Sequence, residues 1–114
     1  MATWATVAAI GRDLPEVVEA TSYGTPALKV RDRLVVRLHD DGEHLVVKVD
    51  PAEREALLAA DPATFSVTPH YEAWPMVLVR LASVDDGELA ELVTEAWRRS
   101  APRRLVAAFD AERS

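Results

Sequence analysis

"LVVRLHDDGEHLVVKV", residues 34–49, decides the fold of this chain, because it predicts a single β-hairpin. Two runs rich in valine and leucine flank Asp41-Gly42, and an Asp-Gly pair between such runs is typical of a two-residue turn with positive φ at both positions. This turn places His39 opposite His44 and fixes which side chains share a face of the sheet. The face turned toward the core is predicted to hold six apolar residues: Leu34, Val36, Leu38, Leu45, Val47 and Val49.

The strand before the hairpin, "ALKV" (27–30), has to agree with that assignment. Leu28 and Val30 face the core, and Lys29 points away from it, if the turn that joins the two strands has three residues, Arg31–Arg33. We therefore predict a three-residue turn at this point.

Helices and short strands account for the rest of the chain. Capping boxes at Asp50 and Asp85 predict the starts of two helices, and Pro102 predicts the start of another. The order of the elements predicts one α+β domain over residues 1–114, with two layers: an antiparallel β-sheet and helices packed on one of its faces. The remaining predicted elements are a helix over 3–14, an irregular connection over 14–26, and strands over 65–67 and 76–81.

Composition excludes several classes of protein. The 114 residues include no cysteine, which removes disulfides, zinc–thiolate sites and thiol catalysis. The formal net charge of −6 repels phosphate backbones, so that nucleic-acid binding would require a local basic surface. Neither a membrane-length apolar run nor a basic region ahead of the apolar N-terminal residues is present. We therefore expect a cytoplasmic protein that has no membrane partner.

The second face of the predicted sheet, the one away from the core, has an unusual composition. It holds basic, histidine and apolar residues and no acid. Such a surface suits an anionic ligand with an apolar or aromatic body, although a solvated face with long basic side chains has the same pattern. We expect its apolar members to be exposed. The residues predicted to lie on this face are Lys29, Val35, Arg37, His39, His44, Val46, Lys48, Met76, Leu78 and Arg80.

Catalytic and metal chemistry have little support in the sequence. His39 and His44 are close enough for two metal ligands, but we expect no carboxylate beside them and predict no metal site. An enzyme built on His70 and Tyr71 would need a closed pocket, so we predict no catalytic residue and no cofactor. Trp74, in the same turn-rich segment, is expected to pack. A second, weaker basic patch is predicted near the C-terminus, at Arg98, Arg99, Arg103 and Arg104.

Four blocks of the sequence resemble the MmcQ/YjbR-like family of small bacterial proteins. The blocks are "LPEVVEATSYGTPALKV", "LVVKVDPAEREALLAADPATFSVTPHY", "WPMVLVRL" and "EAWRRSAPRRLVAAF", and they extend from about Leu14 to Phe109. The resemblance implies an α+β fold similar to CyaY-like and secretion-chaperone-like proteins. It also implies the usual description of this uncharacterised family, which is DNA binding by a "double wing" sheet. The family motif maps onto Tyr23, Gly24, Pro26, Thr68, Pro69 and Tyr71, without an agreed role for any of them.

We therefore predict a small, non-enzymatic binding protein. The first hypothesis is DNA binding through the basic second face, and the alternative is a protein or a small anionic ligand bound at the same face. Tyr23 is expected to pack its ring, and Tyr23 and Tyr71 would form a polar, aromatic rim if their segments lie close together. The protein is either a monomer or a homodimer. The residues predicted to bind nucleic acid or ligand are Lys29, Arg37, Lys48, Arg80, Tyr23, His70 and Tyr71.

Overall fold

The predicted hairpin lies in the middle of a six-stranded antiparallel sheet, which confirms the α+β class. The computed structural model describes residues 1–113, and its strands are ordered β1-β2-β3-β4-β6-β5 across the sheet. The strands are β1 (Val17–Ser22), β2 (Thr25–Val30), β3 (Arg33–Leu38), β4 (His44–Lys48), β5 (Phe65–Ser66) and β6 (Met76–Arg80). The helices are α1 (Trp4–Arg12), α2 (Pro51–Ala60), α3 (Asp86–Ser100) and α4 (Arg103–Arg113).

Strand β1 is the largest error of the sequence-based prediction, which made residues 14–26 an irregular connection. Ser22 pairs with Thr25, and the two residues between them, Tyr23 and Gly24, both have positive φ (53° and 80°). This is the geometry of a type I′ hairpin turn, in which glycine commonly takes the second position. Tyr-Gly is a weaker turn signal than Asp-Gly, so the strand on its N-terminal side was missed.

The joint between β2 and β3 also differs from the prediction. The turn has two residues, Arg31 and Asp32, both with positive φ (49° and 66°), instead of three. The extra residue is in a β-bulge, because Lys29 pairs with Leu34 while Leu28 pairs with Val36. A bulge interrupts the alternation of side chains along one strand. Leu28 and Val30 therefore face the core as predicted, but two residues of β3 exchange places: Val35 belongs to the core and Leu34 does not.

The register of the central hairpin is as predicted, and its turn is different. Leu38 pairs with Leu45, and the His39 N–H donates to the His44 carbonyl at 2.8 Å. Of Asp41 and Gly42, however, Gly42 alone has positive φ (72°), and its N–H donates to the His39 carbonyl at 2.9 Å. The loop is therefore a four-residue connection closed by a turn hydrogen bond, which preserves the same pairing.

Helices α1 and α3 pack on the core face of the sheet. α1 approaches the sheet closely at Gly11, where a Cβ atom would lie 2.7 Å from Leu28 Cδ1. Trp97 of α3 is fully buried and contacts Phe109 of α4, with ring centroids 4.9 Å apart. Asp50 caps α2 as predicted, since its Oδ1 accepts from the Glu53 N–H at 2.9 Å. Among residues 1–113, no helix is both long and apolar enough to cross a membrane.

Candidate ligand-binding site

The segment over residues 68–75 covers part of the second face of the sheet. Its 3₁₀ turn, Pro69–Tyr71, places the Tyr71 hydroxyl 2.8 Å from Arg37 Nη2, and the Tyr71 ring contacts the His39 ring edge-on. Val46 and Leu78, which we expected to be exposed, are 2% and 3% exposed. The prediction of a fully open face is therefore wrong. A turn-rich segment gives no periodicity from which its packing could be read.

Arg54 of α2 holds this segment in place. Its Nη1 donates to the carbonyls of Trp74 at 2.7 Å and Met76 at 3.2 Å, and its Nη2 donates to the carbonyl of Glu72 at 3.0 Å. A fourth, longer contact joins Nη1 to the Tyr71 carbonyl at 3.4 Å. A guanidinium has five N–H donors in a rigid plane, so one side chain satisfies several carbonyls of an irregular loop. The sequence analysis missed Arg54, because it lies in an ordinary polar position of a helix.

Arg37 is the buried cation under the segment, with only 6% of its surface exposed. Its Nη1 donates to Thr25 Oγ1 at 3.0 Å, to the Leu38 carbonyl at 3.2 Å and to Asp40 Oδ1 at 3.3 Å. Burial acts to lower the pKa of Arg37, but its hydrogen bonds and charge interactions with Tyr71 and Asp40 raise that pKa by more. The guanidinium therefore stays charged. Arg37 lines the cleft described below, but it is not a free surface cation.

A cleft of about 420 Å³ lies between the segment and the sheet. Tyr23, predicted to pack, is 85% exposed and lies under the Arg37 guanidinium, with Arg37 Cζ 5.3 Å from the ring centroid. Trp74, also expected to pack, is 58% exposed at the cleft. The predicted rim of Tyr23 and Tyr71 is present, because both line this cleft. The lining residues are Tyr23, Leu34, Arg37, Val46, His70, Tyr71, Trp74 and Met76.

The other predicted cations, Lys29, Lys48 and Arg80, do not line the cleft. Lys29 is half-buried beside Leu34, and Arg80 is exposed at the end of β6. Within residues 1–113 neither side chain has a hydrogen-bond acceptor or an ion-pair partner. Lys48 donates from Nζ to the Leu34 carbonyl at 3.2 Å. His70 is exposed and contacts the Tyr71 ring edge-on, with centroids 4.9 Å apart.

The two hairpin histidines share a carboxylate, which the sequence analysis did not expect. Asp41 Oδ2 lies 2.7 Å from His44 Nδ1 and 3.4 Å from His39 Nδ1. Burial acts to raise the pKa of Asp41, but hydrogen bonds from the Glu43 and His44 N–H groups and from the His44 ring lower it to about 2. This carboxylate is thus occupied within the turn. In the part of the chain that the structure describes, no group of three or more acidic or histidine side chains is arranged to hold a metal.

Two residues of the cleft were missed for different reasons. Leu34 reaches the second face because of the bulge, and a bulge inside an apolar run has no sequence signal. Trp74 had a signal, since a tryptophan in a polar turn beside Pro75 has little to pack against locally, but we interpreted it as a packing residue.

The sheet, its helical layer and the aromatic cleft together define a small α+β domain with a cleft on the second face of the sheet. The family model described as YjbR matches residues 12–99, and the chain therefore belongs to the YjbR family. Uncharacterized protein Rv2570 of Mycobacterium tuberculosis and uncharacterized protein Mb2600 of Mycobacterium bovis are each 36% identical to the chain over 124 aligned residues. Each alignment covers 96% of both chains.

A solved structure has the same fold. The crystal structure of Deinococcus radiodurans protein DR2400, family-model domain DUF419, is similar with a TM-score of 0.72 and 25% sequence identity. The similarity covers 85% of this chain and 77% of that chain. These comparisons establish the family and the fold.

Proposed function

We propose that this protein is a non-enzymatic binding protein whose cleft binds a small ligand with an anionic group and a flat, apolar or aromatic body. The observation that supports this most strongly is Arg37, a buried cation at the floor of an aromatic cleft. A buried charge is stable when its donors are paired, and a ligand anion would complete the pairing.

Some N–H donors of Arg37 have no acceptor among residues 1–113. Its Nη1 group has three acceptors, and its Nη2 group has one, the Tyr71 hydroxyl. Among the described residues, the second Nη2 hydrogen and the Nε hydrogen have no acceptor. No acidic residue lines the cleft in this part of the chain. A carboxylate or phosphate oxygen is the type of group that such a guanidinium binds.

The side chains that line the cleft are the reason for proposing a ligand with a flat body. Tyr23 and Trp74 are large aromatic side chains that are exposed at the cleft, and the apolar side chains of Leu34, Val46 and Met76 line it further. Aromatic side chains bind flat rings by stacking or edge contacts. A volume of about 420 Å³ lies within the range of small-molecule sites, which is roughly 300–1,000 Å³.

Binding fits the site better than catalysis does. The Tyr71 hydroxyl already accepts a hydrogen bond from Arg37, and His70 contacts Tyr71 through its ring edge. A general base needs a partner at hydrogen-bond distance from the reacting group. Among the residues that line the cleft, neither a serine nor an acid is available to His70 as a catalytic partner.

Two anionic aromatic probes test the proposal: the dye anilinonaphthalene sulfonate, followed by fluorescence, and adenosine monophosphate, followed by calorimetry. Tyr23→Ala and Trp74→Ala are each expected to weaken binding about threefold to tenfold, because a ring contact contributes roughly 0.5–1.5 kcal/mol. Val18→Ala, at an exposed apolar residue outside the cleft lining, is the control and should bind as the unmodified protein does. Adenosine without its phosphate should bind more weakly than the monophosphate.

Failure of both probes to bind, or equal binding by all three variants, would show that the cleft is not the site. Thermal denaturation of each variant distinguishes a lost contact from a lost fold.

Nucleic acid is the second candidate ligand for the same face. It is supported by Lys29 and Arg80, two cations on this face without a partner in residues 1–113, and by the two exposed aromatic residues. The net charge of −6 and the internal pairing of Arg37 act against it. Fluorescence anisotropy with duplex and single-stranded oligonucleotides, at low and physiological salt, tests this candidate. Salt-sensitive binding that is lost in Lys29→Glu/Arg80→Glu would support it, and no binding at low salt would exclude it.

A further inference from the structure

A second charged surface lies where the β2–β3 turn meets the start of α4. We call it the arginine patch, and we define it as Arg31, Arg33 and Arg104, which line two hollows, together with Arg103, the residue before Arg104 in the chain. Two hollows of about 370 and 180 Å³ adjoin there and share Arg31 and Pro102 in their linings. The larger hollow is lined by Glu16, Arg31, Pro102, Arg104, Leu105 and Ala108, and the smaller by Arg31, Arg33, Ser100 and Pro102.

One arginine of the patch already binds a carboxylate. Arg31 donates from Nε to Glu16 Oε1 at 2.7 Å and from Nη2 to Glu16 Oε2 at 3.0 Å. This two-point geometry is the one in which a guanidinium binds carboxylates most selectively. The pair therefore shows that a carboxylate is accommodated at the wall of the larger hollow.

The other three arginines of the patch have no such partner. Within the described residues, the side chains of Arg33, Arg103 and Arg104 have no hydrogen-bond acceptor and no ion-pair partner. The chain has 19 acidic residues against 13 basic ones, so a shortage of carboxylates does not explain this. By contrast, Arg98 and Arg99, which we had placed in the same basic patch, are both paired with acids of the protein.

Helix stability does not account for the free arginines either. Arg103 and Arg104 lie in the first turn of α4, where the helix dipole disfavours positive charge. α2 and α3 have acidic residues at this position instead. Arg103 and Arg104 are therefore placed at some cost to the folded state, as is common where a surface serves binding.

We propose that the arginine patch docks an acidic peptide segment of a partner protein. Carboxylates of the segment pair with Arg33 and Arg104, and an apolar side chain of the segment enters the larger hollow against Leu105 and Ala108. A peptide fits better than duplex DNA, because a duplex presents its phosphates outward and keeps its bases stacked inside, so that it has no apolar side chain to place against Leu105 and Ala108. The net charge of −6 also repels a long polyanion more than a short segment. This surface and the cleft on the sheet share no lining residue.

The test is an anisotropy titration of two fluorescein-labelled heptapeptides, of sequence EELEELE and QQLQQLQ, at low and physiological salt. The patch variant is Arg33→Glu/Arg104→Glu. Its control is Lys29→Glu/Arg80→Glu, which changes the net charge by the same amount. The side chains of Lys29 and Arg80 also have no partner within the described residues, but they lie on the second face of the sheet. None of these four side chains has a hydrogen bond or an ion pair within the described residues, so both variants are expected to fold.

We expect the acidic peptide to bind, with salt weakening the complex, and the neutral peptide to bind much less. The patch variant should bind the acidic peptide about tenfold more weakly, and the control should bind it within about twofold of the unmodified protein. Equal loss in both variants would mean general repulsion and would overturn the proposal, as would no binding at low salt. If duplex DNA binds more tightly than the acidic peptide, and if the patch variant no longer binds this DNA, the surface is a nucleic-acid site instead. Ligand binding at the cleft is scored separately, with anilinonaphthalene sulfonate, so the two proposals fail independently.

Discussion

Arg37 shows how far a single residue can be understood from sequence. Its position in an alternating strand correctly predicted which face it lies on, and the absence of acids on that face suggested an anion site. Its burial was not predictable, because that depends on Tyr71, which is 34 residues away in the chain. Sequence periodicity describes one element at a time and does not reveal what an irregular segment covers.

The first prediction concerns the stability that Arg37 provides. Arg37→Met should lower the free energy of unfolding by about 2–3 kcal/mol, because it leaves the Tyr71 and Thr25 hydroxyls and Asp40 without their shared donor. Arg33→Met removes an exposed arginine from the same strand and should change the stability by less than about 0.5 kcal/mol. Urea denaturation followed by circular dichroism measures both. Equal stabilities would mean that the network around Arg37 contributes nothing net.

At the scale of elements, regular structure was predicted well where its local signals were strong. The caps of α2 and α3 and the register of the central hairpin are where the sequence placed them. The β2–β3 joint shows the limit of this reasoning. The alternation of side chains between the two faces of the sheet correctly required one extra residue between the two strands. That residue could be in the turn or in a bulge, and the two arrangements differ only in which of Leu34 and Val35 reaches the cleft. The sequence of this joint has no signal that separates a three-residue turn from a two-residue turn with a bulge, so composition alone does not decide between them.

The second prediction concerns Arg54, which joins α2 to the segment that forms one wall of the cleft. Arg54→Ala removes the donor for the carbonyls of Glu72, Trp74 and Met76 and should loosen this segment more than the sheet. The backbone N–H groups of Tyr71 and Trp74, which donate within the segment, should then exchange with solvent about tenfold faster. Nuclear magnetic resonance measures this exchange residue by residue.

The control for this experiment is Glu55→Ala, which changes the exposed neighbouring position of the same helix. It should leave the exchange of the segment unchanged. If both variants exchange alike, the segment is held by its own turns and by Tyr71, and Arg54 does not determine the shape of the cleft.

At the scale of the whole molecule, Trp97 connects parts of the chain that are far apart in sequence. It lies on α3, its indole N–H donates to the Pro15 carbonyl at 3.1 Å, 82 residues away, and its ring contacts Phe109 of α4. Pro15 lies between α1 and β1. The Trp97 side chain therefore connects the N-terminal part of the chain, through Pro15, with the C-terminal helix, through Phe109. The two ends should therefore unfold together with the sheet in one transition.

The last prediction compares two tryptophans under the same substitution. Trp97→Phe leaves the Pro15 carbonyl without its donor and opens a space in a fully buried site, so the free energy of unfolding should fall by about 2–3 kcal/mol. Trp74→Phe, at a residue 58% exposed, should change it by less than about 0.5 kcal/mol. Urea denaturation followed separately by fluorescence and by circular dichroism gives both values. If Trp97→Phe instead produces two transitions, α4 is an independent unit and the core does not unite the two ends of the chain.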